Sequence, residues 1–296
     1  MKYVSAAAFR RALETRLMAQ SLEGGVSLVR LRKSVVFDRL LARLLTVAPD
    51  RWLLKGGLAL DYRLGRRART TMDIDLAYSG DDAAVTADLL AAQDLDLGDH
   101  FSFRVERTAR LDRLVEGSAV RYHVRADLAG RRFEEFLLDV GFDFPSGWAP
   151  EMLHGQSLLA FADIDPVEIP SVSLEIQIAE KVHAYSRAYG RAVVASTRVK
   201  DLVDLVLISS EATPDAARLA RALRETFDRR GRQPLPSRLP EPPTAWRLPY
   251  ARMAAEVGLD PDLAHGHGFA AGLLDPILVG ETDTARWDCT TRSWAR

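Results

Sequence analysis

The chain has 296 residues, of which 47% are hydrophobic and 27% are charged, and its formal net charge is -1. This balance excludes an intrinsically disordered chain, because burial of so much apolar surface can offset the entropy lost on folding. The single cysteine, Cys289, excludes an intramolecular disulfide framework and a cysteine-built zinc site, and it fits a reducing, cytoplasmic setting. No apolar run approaches the roughly 20 residues of a membrane-spanning helix, so we expect no membrane association.

The small net charge hides an uneven distribution. Residues 1–70 contain 15 Lys and Arg against 5 Asp and Glu, a net charge of +10, which leaves -11 for the remaining residues. Such a basic region can bind a polyanion such as RNA, or it can pair with acidic groups of the same chain, and the sequence leaves both open. Lysine is rare, and three of the five lysines, Lys55, Lys181 and Lys200, lie in the motifs described below.

The hydrophobic pattern predicts an α/β (α+β) protein in two parts. Residues 1–170 alternate helical periodicity with short apolar runs, which is typical of helices packed on a mixed sheet. The predicted elements are helices over residues 5–22, 27–47, 58–64 and 82–92, and strands over residues 52–54, 72–78, 101–107, 119–127 and 133–140.

The second part, residues 171–296, is predicted to be a mainly helical C-terminal domain. Helices are expected over residues 174–189, 199–209 and 214–229, because apolar residues recur three and four positions apart. Six prolines in residues 233–249 indicate an extended connector. The segment His265-Gly266-His267 is read as a loop without a functional role.

A pair of acidic residues is the sharpest local signal. Asp73 and Asp75 alternate with Ile74 and Leu76, so on a strand the two carboxylates project from one face while the apolar residues enter the core. Carboxylates held this close repel each other unless a cation intervenes, and oxygen ligands favour Mg²⁺ or Mn²⁺. The alternative is a solvated strand edge.

Two glycines precede the acidic pair. Lys55, Gly56 and Gly57 lie between a predicted strand and a predicted helix, where exposed backbone amides can bind phosphate. Many turns of this kind use glycine for backbone geometry alone, so both interpretations stand.

A third carboxylate interrupts the apolar strand at residues 136–140. Asp139 should have a cationic or metal partner, because an unpaired carboxylate in a buried strand is costly. If this strand neighbours that of Asp73, all three acids can line one site. Asp127 and Glu135 are alternative candidates for the third carboxylate.

Four segments together resemble a known family. LKGGLAL at residues 54–60, TMDIDL at 71–76, EKVHA at 180–184 and RVKDLVDL at 198–205 are similar to the motifs of the AbiEii and MenT nucleotidyltransferase toxins, and occur in the same order. These toxins belong to the DNA polymerase beta-like nucleotidyltransferase superfamily.

The resemblance implies a magnesium-dependent enzyme that transfers a nucleoside monophosphate from an NTP. In MenT-like members the acceptor is the 3′ end of tRNA, so that translation is blocked, and a cognate antitoxin is expected. The implied catalytic residues are Asp73, Asp75, Lys181 and Asp204, and the implied metal ligands are Asp73, Asp75 and Asp139. The implied nucleotide-binding residues are Lys55, Gly56, Gly57, Thr71, Lys181, Lys200 and Asp201.

Two features depart from the family pattern. The 15 residues between Gly57 and Asp73 form a longer spacer than is usual in the superfamily, and Thr71 stands where serine is common. Regulation through a hydroxyl at this position is therefore open.

Helical spacing gives independent information on the last two motifs. Lys181 and His183 are two residues apart and should not share a helix face, so we expect only Lys181 to have a functional role. Asp201 and Asp204 are three apart and do share a face, which fits either nucleotide binding or a surface ladder of salt bridges.

Two other functions remain compatible with the sequence. The same acidic strand and Gly-Gly turn would serve a nucleotidyltransferase that modifies a small molecule such as an antibiotic, and a catalytically inactive RNA-binding protein is the third alternative. The basic residues Arg63, Arg66, Arg67 and Arg69, just before Asp73, favour an RNA acceptor.

Overall fold

The computed structural model describes residues 1–110, 119–187, 198–231, 233–282 and 284–295. The chain forms two compact units, the first made of Met1–Arg63 and Thr70–Val172 and the second of Leu64–Arg69 and Ser173–Arg296. The predicted mixed α/β class is confirmed, since the first unit contains a seven-stranded mixed sheet with helices. In the described part of the chain, no helix is both long enough and apolar enough to cross a lipid bilayer.

The helices of the first unit begin and end at the residues that the sequence favours. Ser5 and Ser27 each accept a hydrogen bond from a backbone amide of the first turn, and so cap the first two helices. Gly25 ends the first helix with a φ of 63°, a conformation that glycine adopts without strain. The helices are α1 (Ala6–Gly24), α2 (Leu28–Val47), α3 (Gly56–Leu64) and α4 (Asp82–Asp94).

The sheet of the first unit has the strand order β3-β4-β5-β2-β1-β7-β6. β2 is parallel to β5 and antiparallel to β1, so it lies in the middle of the sheet. The strands are β1 (Trp52–Lys55), β2 (Ile74–Tyr78), β3 (Phe101–Arg110), β4 (Ala119–Leu128), β5 (Arg131–Gly141), β6 (Glu151–His154) and β7 (Glu168–Ser171).

Burial alternates along the central strands and separates the core from the polar face. Ile74 and Leu76 of β2 and Leu138 of β5 are fully buried in one continuous hydrophobic core with residues of α1, α2 and α4. Phe37 of α2 meets Phe136 of β5 edge to face, with ring centroids 4.9 Å apart. Burying each large apolar side chain contributes about 1.5–3 kcal/mol, so this core determines which face of the sheet remains polar.

The second unit is mainly helical. Its helix α6 buries an apolar stripe that includes Leu202, Val203 and Leu205. The Trp287 indole is buried and donates a 2.7 Å hydrogen bond to the Ser209 carbonyl, which attaches a C-terminal hairpin to α6. The elements are α5 (Leu174–Tyr185), α6 (Val199–Glu211), α7 (Ala216–Arg230), α8 (Arg247–Glu256), α9 (Leu263–Leu278), β8 (Arg286–Asp288) and β9 (Ser293–Ala295).

Two predicted elements differ from the observed ones, and part of a third cannot be compared. The His265-Gly266-His267 segment is not a loop but lies in α9, which Asp262 caps by accepting from the His265 amide. The prediction was wrong because a glycine inside a helix costs only about 1 kcal/mol, and apolar packing farther along α9 outweighs that cost. β2 starts at Ile74, two residues later than predicted. Residues 188 and 189, the predicted end of the first C-terminal helix, lie outside the described residues.

Candidate active site

Four charged residues form one row across the sheet. Lys55 pairs in register with Asp75, Asp75 with Asp139, and Asp139 with Arg121. Residues paired in this way project from the same face, and neighbouring strands lie about 4.8 Å apart. The order of charges is therefore positive, negative, negative, positive, and the two carboxylates are direct neighbours.

Asp73 extends the acidic group at the start of β2. Its neighbour Ile74 and the next apolar residue, Leu76, are fully buried, whereas Asp73 and Asp75 are half-buried and lie on the polar face. The Thr71 hydroxyl donates a 3.3 Å hydrogen bond to the Asp73 carbonyl oxygen. The strand alternation predicted from the sequence thus brings Asp73, Asp75 and Asp139 to one side of the sheet.

Gly56 fits directly against the Asp75 carboxylate. A Cβ atom at position 56 would lie 2.0 Å from Asp75 Oδ2, and the residue has a φ of 66°. Both the close approach and the left-handed backbone require glycine. Gly56 also begins α3, whose amino end carries a partial positive charge that favours a nearby carboxylate. The Gly-Gly turn therefore holds Asp75 in place.

Asp139 makes a bidentate ion pair with Arg121, a residue that the sequence reasoning missed. Arg121 Nε and Nη2 lie 2.7 and 2.6 Å from the two Asp139 carboxylate oxygens. The hydrogen bond to Asp139 raises the pKa of the Arg121 guanidinium, and Asp73 and Asp75 raise it further. The other candidates have different ion-pair partners, since Asp127 pairs with Arg125 and Glu135 with Arg132.

A second missed residue, Asp143, lies near Lys55. Lys55 Nζ is 3.3 Å from Asp143 Oδ1, and both side chains are mostly buried. Gly141, at the end of β5, leaves space for them, because a Cβ there would lie 2.8 Å from Asp143 Oδ1 and 3.1 Å from Lys55 Nζ. Lys55 is thus held at the edge of the carboxylate row, against Gly141, which follows Asp139 by two residues on β5.

Lys33 of α2 is a third missed residue. Its ammonium is buried and donates to the Glu135 carbonyl oxygen. Burial lowers the pKa of Lys33, against the attraction of Glu134 and Asp73. Its rarity among arginines could have indicated it, but only the fold shows that a residue of α2 lies within electrostatic range of Asp73.

In the second unit, Lys181 and Asp204 form a buried cluster with Arg69. Asp204 is fully buried and its Oδ2 lies 2.5 Å from Lys181 Nζ. Arg69 binds the same carboxylate in a bidentate manner, at 2.9 and 3.1 Å. Burial raises the pKa of Asp204, but the two cations outweigh burial and hold it below its ordinary value.

Asp201 lies beside this cluster in a different electrostatic state. Burial raises its pKa, although Lys181, 3.9 Å away, and Arg198, 3.1 Å away, oppose the change. Lys200, in the first turn of α6, is exposed. His183 is buried and stacks edge to face on Phe227, with centroids 4.9 Å apart.

Much of the basic N-terminal region pairs with acids of the same chain. Among Arg63, Arg66, Arg67 and Arg69, at least three have acidic partners. The pairs are Arg30 with Asp61, Arg39 with Asp38, Arg43 with Asp99 and Arg63 with Glu151 in the first unit, and Arg67 with Glu211 and Arg69 with Asp204 in the second. Two of these pairs, Arg30 with Asp61 and Arg39 with Asp38, lie within residues 1–70 and leave its net charge of +10 unchanged. The other four, together with Arg51–Asp88 and Lys55–Asp143, use acids beyond residue 70 and offset six of these ten charges.

The carboxylate row can be compared with the needs of a divalent cation. Its donors are all oxygens, which suits Mg²⁺ or Mn²⁺, and Gly56 holds Asp75 toward the polar face. Within the described ranges, no three Asp, Glu, His or Cys side chains are arranged to hold a metal ion. The donor chemistry of Asp73 and Asp75 fits a cation, whereas Asp139 is engaged by Arg121.

Comparisons with known proteins point to one family. The sequence model of the family described as Nucleotidyl transferase AbiEii toxin, Type IV TA system, matches residues 39–273. Among solved structures, the chain is similar to MenT4, a nucleotidyltransferase toxin from Mycobacterium tuberculosis, at 21% identity and a TM-score of 0.54, over 91% of this chain and 94% of that chain. At this identity the likeness concerns the fold.

More distant matches carry no argument about the fold or the site. JHP933 from Helicobacter pylori matches at 16% identity and a TM-score of 0.44, over 84% of this chain and 94% of that chain. The antibiotic-resistance factor ANT(2'')-Ia matches at 20% identity and a TM-score of 0.38, over 66% and 94%. A search of curated proteins found no match.

Proposed function

Because the chain belongs to the AbiEii family of nucleotidyltransferase toxins, we propose that it transfers a nucleoside monophosphate from an NTP to RNA at the 3′ end of tRNA. Family membership makes it a toxin-type nucleotidyltransferase with an NTP substrate and an antitoxin partner. What we propose beyond family membership is the RNA acceptor, the resulting block of translation, the dependence on Mg²⁺ and a cytoplasmic location.

One observation carries the proposal for this chain. Asp75 lies between Lys55 and Asp139 in the sheet register, and Gly56 packs against its carboxylate. Arg121 neutralises Asp139, and the neighbouring charges of Asp73 and Asp75 on the polar face support a site that binds a divalent cation. When bound, a divalent cation would neutralise phosphate charge and polarise the reacting phosphorus.

The reaction requires one bond to form and one to break. The 3′ hydroxyl oxygen of the acceptor attacks the α-phosphorus of the NTP, the bond from that phosphorus to pyrophosphate breaks, and the hydroxyl proton leaves to base or solvent. In the proposal Asp73 and Asp75, with Asp139, hold the cation. Lys181 binds the triphosphate as a compact point charge, and Asp204 orients Lys181 through their ion pair.

The remaining nucleotide-binding assignments follow the family motifs. Lys55, Gly56, Gly57 and Thr71 precede or begin the carboxylate row, and exposed amides at the start of a helix suit phosphate. In the last motif, Lys200 is exposed and Asp201 is mostly buried. Which of Asp201 and Asp204 supports catalysis directly is decided by the variants below.

The experiment is a transfer assay with each of the four NTPs labelled at the α-phosphate, in Mg²⁺ and total RNA, analysed on a denaturing gel. We expect label in the tRNA band from the wild-type protein. Asp73→Asn and Asp75→Asn should each reduce transfer by at least about 10²-fold, because charge neutralisation at the reacting phosphate is lost. Circular dichroism would establish that both variants fold.

The matched control is Asp50→Asn, an exposed carboxylate before β1 that should leave transfer unchanged. Wild-type activity in a folded Asp73 or Asp75 variant would contradict the site. Label recovered only on an added small molecule would replace the RNA acceptor by the small-molecule alternative. No transfer from any NTP would favour the inactive RNA-binding alternative.

A further inference from the structure

The third carboxylate of the row already has a cation. Asp139 accepts two charge-assisted hydrogen bonds from Arg121, at 2.7 and 2.6 Å, across the β4–β5 pair. Bidentate pairs of this kind are the strongest that arginine makes with a carboxylate. As long as the pair is formed, two oxygens of Asp139 are directed at a guanidinium instead of at a divalent cation.

The position of Arg121 allows it to leave Asp139. Its side chain is 37% exposed, so the guanidinium can turn into solvent without becoming a buried unpaired charge. Asp75 is the in-register neighbour of Asp139, and the charges of Asp73 and Asp75 both act on Arg121. Arg121 thus lies at the end of the row with five donors that would suit a phosphate once it has left Asp139.

We propose that Arg121 is an exchangeable counter-ion of Asp139. In the cation-free protein it neutralises the carboxylate, and on cation binding it releases Asp139 and binds a phosphate of the NTP. The inference rests on the proposed function for the cation site in its first step and for the NTP in its second. Arg121 is a positioning residue for Asp139 in the first step, and a nucleotide-binding residue in the second.

The exchange accounts for an arginine at the Asp139 end of the row. The planar guanidinium matches carboxylate and phosphate equally well, with two parallel hydrogen bonds to either. Lys55, at the other end of the row, is a point charge near Asp143. The two ends of the row therefore differ, because Arg121 makes paired hydrogen bonds to the Asp139 carboxylate.

The test measures Mn²⁺ binding to the full chain without nucleotide, by electron paramagnetic resonance. Removing the competing guanidinium in Arg121→Gln should tighten Mn²⁺ binding by about tenfold, a modest value because the pair is partly exposed. Arg121→Lys keeps the charge and loses the bidentate geometry, so its Mn²⁺ affinity should lie between those of the wild-type protein and Arg121→Gln. The gain should vanish in the background of Asp139→Asn, because Arg121 acts through that carboxylate.

The matched control is Arg125→Gln. Arg125 lies on the same strand and face, is 41% exposed, and pairs with Asp127 at 2.9 Å, but it does not contact Asp139. It should leave Mn²⁺ affinity close to the wild-type value. An equal gain in Arg125→Gln, an unchanged or weaker affinity in Arg121→Gln, or a gain that persists with Asp139→Asn would overturn the exchange.

The second step is measured by equilibrium dialysis of labelled NTP at saturating Mn²⁺. Arg121→Gln should weaken NTP binding by about tenfold, opposite in direction to its effect on Mn²⁺. Unchanged NTP binding would overturn the phosphate contact. Mn²⁺ binding can be measured in a protein that transfers no nucleotide. Failure of the transfer assay with the Arg121 effect on Mn²⁺ present would therefore contradict the proposed function and leave this inference standing.

Discussion

Gly56 and Asp75 occupy positions that depend on each other. The glycine has a φ of 66°, and any side chain on it would overlap the Asp75 carboxylate, with a Cβ 2.0 Å from Oδ2. The sequence indicated a turn at this point but could not indicate its partner, because Asp75 is 19 residues later in the chain. The turn thus orients a carboxylate in addition to redirecting the backbone.

Gly56→Ala is expected to separate this role from backbone strain. The new methyl group must displace the Asp75 carboxylate, and a displacement of about 1 Å can cost on the order of 10²-fold in rate. Gly25→Ala is the matched control, since Gly25 has a φ of 63° and open space around its Cβ position. Transfer rates and urea unfolding would be measured for both variants.

We expect both glycine variants to lose about 1 kcal/mol from the left-handed backbone, and Gly56→Ala to lose more because of the overlap. Only Gly56→Ala should lose transfer activity. Equal activities in the two variants would mean that Asp75 can move without consequence, and would contradict the function assigned to the turn.

At the scale of elements, helix α6 carries two carboxylates whose folded states differ. The pKa of Asp204 is held below its ordinary value by Lys181 and Arg69 in spite of burial, whereas burial raises that of Asp201. A lowered pKa in the folded state stabilises the protein above the ordinary pKa of about 3.9, and that stability is lost as the pH falls. A raised pKa has the opposite sign, so charged Asp201 reduces stability at neutral pH.

Asparagine at the two positions should therefore have opposite effects at pH 7. Asp204→Asn should lose about 3 kcal/mol, because Lys181 and Arg69 keep buried charges without a counter-charge. Asp201→Asn should gain up to about 1 kcal/mol. As the pH falls, the Asp201 difference should disappear first, between its raised folded-state pKa and the ordinary value of about 3.9, whereas the Asp204 difference should shrink only below about 3.9.

Hydrogen exchange of the α6 amides at pH 7 and pH 4 would measure these changes locally, because unfolding of a chain with two units need not be a single transition. Asp228→Asn, an exposed carboxylate on α7, is the control and should change little. Loss of stability in both Asp201→Asn and Asp204→Asn would contradict the pKa argument. Full transfer activity in Asp201→Asn together with its loss in a folded Asp204→Asn would assign the catalytic support to Asp204, and the reverse result would assign it to Asp201.

The sequence predicted those elements whose signals are local. Ser5 and Ser27 mark the first helices, and the alternation around Asp73 and Asp75 marks β2, because capping and strand periodicity act within a few residues. Helix α9 was missed since Gly266 and its flanking histidines have a turn-like composition. In the fold Gly266 is needed because a Cβ there would lie 1.9 Å from the Tyr250 hydroxyl.

The partners of the candidate residues could not be predicted in the same way. Asp139 was expected to have a cationic or metal partner, but its pairing with Arg121 depends on the register between β4 and β5. Asp143 and Lys33 lie near the row through the packing of β1 and α2, respectively. Strand register and helix packing are set by the whole core. Local sequence patterns therefore identify the carboxylates but cannot identify the basic residues that pair with them.

At the scale of the whole molecule, the basic residues that form buried ion pairs must be distinguished from those that are exposed to solvent. Arg63 and Arg69 are mostly buried in ion pairs, and replacing Arg69 would leave Asp204 with Lys181 alone. In a variant that also replaces Arg69, a loss of RNA binding could not be distinguished from a loss of stability. Arg66 and Arg67 are exposed, so replacing them does not remove a buried cation.

The double variant Arg66→Ala, Arg67→Ala is expected to weaken binding of tRNA if this run contacts the acceptor. Each lost phosphate contact should reduce the slope of log affinity against log salt by roughly 0.7–0.9, so the slope should fall by about 1.5. The double variant Arg224→Ala, Arg229→Ala on α7 removes the same charge from exposed positions and is the matched control. Filter binding of labelled tRNA between 50 and 200 mM salt, roughly the range over which such affinities change most, would measure both slopes. A general electrostatic attraction would flatten both slopes equally, whereas a specific acceptor path would flatten only that of the Arg66 and Arg67 variant. If the Arg66→Ala, Arg67→Ala variant binds tRNA like the wild-type protein at all salt concentrations, Arg66 and Arg67 do not contact the acceptor.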